Sequence, residues 1–70
     1  MSNGTIGKRI RFYREAKKWS QEVFAEKLGL SLTYIGMIER AEKNITLCNI
    51  EKISKALNVS IIDLLSGHES

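Results

Sequence analysis

The run Gln21-Glu22-Val23-Phe24-Ala25-Glu26-Lys27-Leu28-Gly29-Leu30-Ser31-Leu32-Thr33-Tyr34-Ile35-Gly36-Met37-Ile38-Glu39-Arg40 decides the fold. Its fifth position is Ala25, its ninth Gly29, its fifteenth Ile35 and its eighteenth Ile38. Two short helices that cross steeply through a tight turn need these types at these places. The small Ala25 lets the first of the pair approach the second. Gly29 takes a left-handed conformation that a Cβ resists. Ile35 and Ile38 clamp the second of the pair to the body. The competing reading is an ordinary small helical bundle with a glycine turn.

Outward from this run the chain continues as helix. It has no proline and no strand-like alternation, and apolar residues recur at spacings of three and four. A first helix over about 5–17 places Ile6, Ile10, Tyr13 and Ala16 on one face, with Thr5 as its N-cap. Ser20 caps a second over 21–27, with Phe24, Ala25 and Leu28 facing inward. Ser31 caps a third over 32–40, and Thr46 a fourth over 47–57 that buries Leu47, Ile50, Ile53 and Leu57. Asn58 ends the fourth. Ser60-Ile61-Ile62-Asp63 resembles a capping box with Asp in place of Glu and opens a fifth helix to Leu65. Residues 66–70 are expected to fray. The expectation is an all-α, five-helix single domain across residues 1–70, its core within 5–65.

Seventy residues bury only about 60% of their unfolded surface, so the core is marginal and must be helped by tight helix packing or by a partner chain. The lone Cys48 makes no intramolecular disulfide, and no metal constellation or Gly-rich phosphate loop is present, so no cofactor is expected. No apolar run reaches the length of a membrane span, and the polar N-terminus is not a secretory signal. A free thiol without such a signal implies the cytoplasm. The net charge is +3, unevenly spread: residues 1–18 carry +5 and residues 19–70 carry −2. A basic surplus suits nucleic acid or another anionic surface; the alternative is a solvated helix face.

Arg14-Glu15, Ser20-Gln21, Phe24-Ala25-Glu26, Leu28-Gly29, Ser31, Tyr34-Ile35, Ile38-Glu39-Arg40, Asn44 and Ala56-Leu57-Asn58-Val59-Ser60 together resemble the Cro/phage-repressor (XRE-type) helix-turn-helix family, with its lambda-repressor-like fold. Short single-domain members of that family, the controller proteins of restriction–modification systems, are similar in the Leu32-Thr33-Tyr34-Ile35 and Ile38-Glu39-Arg40 runs.

The resemblance implies that the third helix enters the major groove of double-stranded DNA. Ser31, Leu32, Thr33, Gly36, Met37 and Arg40 then form the base-reading face. Thr33 would meet a base edge or a thymine methyl, Leu32 and Met37 thymine methyls, and Arg40 a phosphate or a guanine. Gly36 would let the duplex come close. Ser20, Gln21, Tyr34, Lys43 and Asn44 become phosphate contacts, Gln21 at a helix N-terminus where an anion is favoured. Their plainer readings are a cap, a solvated helix start, a partly buried tyrosine and a polar loop. The family pairs Arg14 with Glu39 inside the protein. Lys18 and Ala41 stand where glycine is common, and Ile45 where proline is. Trp19, in place of a smaller aliphatic, is expected to fill core beside the second helix.

Residues 31–44 have no net charge, so one copy binds DNA weakly and two joined copies bind better. A homodimer is expected through Ile62 and Leu65, bordered by Asn49 and Ile53. Enzymatic chemistry has little support: His68 lies in the tail, far in sequence from Cys48, and a nucleophile needs its base beside it. With no effector domain, no small-molecule ligand is expected. Two function classes follow: a DNA-binding transcriptional regulator acting on a (pseudo)palindromic operator, and an antitoxin-like protein-interaction module that binds DNA secondarily.

Overall fold

Four hydroxyl side chains set where helices begin. In the computed structural model, which describes residues 3–66 and side chains from Ile6 onward, Ser20 Oγ accepts from Val23 N at 3.1 Å and Ser31 Oγ from Tyr34 N at 3.0 Å. Thr46 Oγ1 accepts from Asn49 N at 3.2 Å and Ser60 Oγ from Asp63 N at 3.0 Å. Each satisfies one N–H that the first turn leaves without an intrahelical partner. The helices are α1 (Asn3–Ala16), α2 (Gln21–Leu28), α3 (Leu32–Glu39), α4 (Leu47–Leu57) and α5 (Ile61–Leu65). Among the described residues there is no strand. Because α1 starts at Asn3, Thr5 lies within it and is not its N-cap.

Four helices stop in the same way. A residue in the left-handed region follows the helix, and two backbone bonds close over the last turn. The left-handed residues are Lys18 (φ 62°), Gly29 (φ 69°), Ala41 (φ 62°) and Asn58 (φ 58°). After α3, Ala41 N donates to Ile38 O and Glu42 N to Met37 O at 2.8 Å. Only Gly29 adopts this conformation without a steric cost. Ala41→Gly is therefore expected to stabilise the domain by about 0.5–1 kcal/mol, the relief of left-handed strain less the added freedom of the unfolded chain. Thermal melting of the variant checks this; an unchanged or lower Tm would show that Ala41 is unstrained.

Each helix supplies at least one side chain to the innermost core: Ile10, Phe24, Ile35, Ile53 and Leu64. Ile6, Ala25, Leu28, Ile38, Ile50 and Leu57 complete it. Trp19 stacks on Phe24 with ring centroids 6.1 Å apart and covers the core beside α2.

Two expected core positions are exposed. Ala16 lies about 120° around α1 from Ile10, whereas Arg14 lies about 40° from it; Arg14 is buried and Ala16 is not. Leu47 is 65% exposed. It occupies the first position of α4 and sits about 80° off the Ile50–Ile53–Leu57 stripe, beyond cover. Ile53 is fully buried within its own chain, so it does not border a surface for a second copy. At the C-terminal end, Ser66 N donates to Ile62 O at 2.7 Å and closes α5. The fraying expected of the remaining tail, and His68, lie outside the described residues.

Candidate nucleic-acid interface

The outward stripe of α3 follows from its inward one. With Ile35, Ile38 and Glu39 buried, the opposite side of a 3.6-residue helix carries Thr33, Met37 and Arg40. Ser31 and Thr33 are exposed, Met37 is half-buried and Arg40 is exposed. Leu32, 45% exposed, stands to one side of this stripe. It lines an open groove between α2 and α3 with Ser20, Val23 and Leu30, rimmed by Glu22 and Glu26.

Gly36 differs from expectation. It is buried, and what covers it is Arg40: a Cβ built on Gly36 would meet Arg40 Nη1 at 2.9 Å. Arg40 in turn donates from Nη2 to Glu42 Oε1 at 3.1 Å. That hydrogen bond holds the Glu42 carboxyl below its ordinary pKa and raises that of the guanidinium. Gly36 therefore gives a neighbouring side chain its seat and is not an open approach.

Four contacts from other elements fix how α3 is presented. The first is the Arg14–Glu39 pair, 8% and 2% exposed at the side chains. Arg14 Nε donates to Glu39 Oε2 at 2.7 Å and Nη2 to Oε1 at 3.0 Å, the two-point geometry that suits a guanidinium and a carboxylate. Its third donor, Nη1, reaches the Trp19 carbonyl at 2.7 Å. The bond to Glu39 is the main reason the Arg14 pKa is raised. One side chain thereby ties the end of α1 to the turn before α2 and to the end of α3.

Gln21 supplies the second contact: its Nε2 donates to Glu39 Oε1 at 3.0 Å. Its amide is thus engaged inside the domain, and what it leaves facing outward is the N-terminal end of α2. Tyr34 supplies the third, with Asn49 Nδ2 donating to its hydroxyl at 2.9 Å. That bond joins α3 to α4 and engages the Asn49 amide within the domain. The Tyr34 hydroxyl, used as an acceptor, retains its own hydrogen for donation.

Gly7 is the fourth contact and was not singled out from the sequence. It is buried where α1 crosses the end of α3, and a Cβ there would overlap the Ile38 carbonyl oxygen and stand 2.8 Å from that of Glu39. A glycine well inside an amphipathic helix, costing about 1 kcal/mol of propensity, is the one hint the sequence offered.

Lys43 and Asn44 are exposed between α3 and α4, beyond the end of the outward stripe of α3. On α5, Ile62 is 71% exposed and Leu65 half-buried against the core. Cys48 is exposed, and among the described residues no group of side chains could hold a metal ion. No helix among them is long and apolar enough to cross a membrane.

Residues 10–64 match the helix-turn-helix family, and the chain belongs to it. It is 50% identical over 61 residues to the control protein C.BamHI of Bacillus amyloliquefaciens, covering 86% of this chain and 75% of that one. Its fold is similar to the crystal structure of the restriction-modification controller protein C.AhdI from Aeromonas hydrophila, with a TM-score of 0.85 and 38% identity over 90% of this chain and 96% of that one. It is similar too to SinR, a master regulator for biofilm formation, crystallised in complex with DNA: TM-score 0.82, 41% identity, 86% of this chain and 97% of that one. These relatives are control proteins and regulators.

Proposed function

We propose that this chain is a sequence-specific DNA-binding transcriptional regulator, acting in the cytoplasm as a homodimer on a (pseudo)palindromic operator, as the autoregulatory controller of a restriction–modification system. The observation that carries the reading is the α3 stripe of Thr33, Met37 and Arg40, outward-facing on a helix pinned by Gly7, Arg14, Gln21 and Asn49. A helix that reads base edges must hold its side chains in a fixed register, and these contacts supply it. Ser20 and Gln21 at the start of α2 offer a phosphate the positive end of a helix. Tyr34 within α3 and Lys43 and Asn44 beyond its end serve as further phosphate contacts, and the likeness to SinR, crystallised in complex with DNA, supports the DNA-binding reading.

Thr33→Ala is expected to relax base preference at one operator position, costing about 1–3 kcal/mol there, while leaving affinity for random duplex unchanged. Titration of operator and random duplexes across a salt series measures both. Equal losses on the two would remove Thr33 from the reading face.

The homodimer is proposed on Ile62 and Leu65. Ile62 lies about 160° around α5 from the buried Leu64, with Leu65 between them. A two-fold axis through that face would bury both isologously and set the two α3 helices toward half-sites about 34 Å apart. Sedimentation of Ile62→Asp with Leu65→Asp at micromolar concentration is expected to show a folded monomer. A persisting dimer would place the interface elsewhere.

A further inference from the structure

We propose that Glu42 is an affinity-setting residue: it competes with DNA for the Arg40 guanidinium, which the free domain parks along the reading helix. This rests on the DNA-binding reading above and adds a control to it.

Three features of the end of α3 hold the parked state. The absence of a side chain at Gly36 leaves the seat that the guanidinium occupies. The Glu42 carboxylate takes the Nη2 hydrogen at 3.1 Å. The left-handed turn at Ala41, with Glu42 N bonded to Met37 O, folds Glu42 back to where its side chain reaches Arg40. The partners are two residues apart in sequence, a separation at which a continuing helix would point them away from each other.

The parked guanidinium is also placed to be taken. Arg40 and Glu42 side chains are 56% and 52% exposed, so a phosphate or a guanine edge can approach without any rearrangement of the backbone. A guanidinium N–H used on a carboxylate is not available to a phosphate oxygen, since both want the same in-plane donors. A phosphate or guanine that takes the Nη2 donor therefore displaces the Glu42 carboxylate. It leaves Glu42 facing a polyanion with its counter-charge withdrawn. Glu42 accordingly weakens complexes in which that Nη2 donor is used. A carboxylate that merely added negative charge to the surface would weaken binding whether or not Arg40 was there.

That difference gives the test. Wild type, Glu42→Gln, Arg40→Gln and the double variant are titrated, as full chains at low salt, against a short mixed-sequence duplex by fluorescence anisotropy. Glu42→Gln is expected to tighten binding about fivefold when Arg40 is present and less than about twofold in the Arg40→Gln background, a coupling of the size measured for exposed ion pairs. In the DNA-free protein, the Arg40 Nε–H resonance should shift on Glu42→Gln. Equal tightening in both backgrounds, or none in either, overturns the competition while leaving the DNA-binding reading intact. Failure of the wild-type chain to bind any duplex at low salt would overturn that reading and this proposal together.

Discussion

Glu39→Ala is expected to destabilise the domain by about 3–5 kcal/mol, the cost of leaving a buried charge without its partner. At about 4–8 °C per kcal/mol for a domain this small, the midpoint should fall by well over 10 °C. The change strands Arg14, whose side chain is 8% exposed and whose guanidinium gives two of its bonds to that carboxylate. It also frees Gln21, so the ends of α1 and α3 and the start of α2 lose their common anchor. The effect belongs to the unpaired charge, not to the pair as such. Arg14→Met combined with Glu39→Leu should therefore recover much of the loss. Thermal melts of the single and double variants decide the matter. An unchanged Tm for Glu39→Ala would show that the pair carries no structural weight.

Gly7→Ala is expected to have the opposite sign from that of most glycine replacements in helices. In an open helix interior the exchange stabilises by about 1 kcal/mol. Here the new methyl would overlap the Ile38 carbonyl oxygen and crowd that of Glu39. Both are backbone atoms whose positions α3 fixes, so neither yields as a side chain would. The helices must separate at their crossing, and overpacking of this kind costs about 1–3 kcal/mol. Because the same crossing orients the outward stripe of α3 proposed to read DNA, operator affinity should fall alongside Tm. A Gly7→Ala variant that melts higher than wild type would show that α1 shifts freely across α3.

These two positions also mark the limits of the sequence. The spans of α4 and α5 and the starts of α2 and α3 were legible because Ser20, Ser31, Thr46 and Ser60 each announce a first turn, and Gly29 and Asn58 a last one. The start of α1 was not, since Thr5 offers the same hydroxyl without being at the end. Ile53 was read both as core and as interface, and helical phase alone favours the first. Arg14 and Glu39 stand 25 residues apart. Their pairing came from family resemblance, as nothing in local periodicity joins them. The Gly7 crossing and the Tyr34–Asn49 bond depend on how elements meet in space. Spacing along one helix does not encode that.

Lys18 and Ala41 keep a backbone conformation that glycine would hold without strain. The free energy so withheld, about 1 kcal/mol, is enough to change the unfolded fraction of a small domain roughly fivefold. It is this fraction that cellular proteases clear, so the two turns act on the lifetime of the chain as well as on its shape. Under the autoregulation proposed above, part of the protein's dose would thus be written into the turns that end α1 and α3.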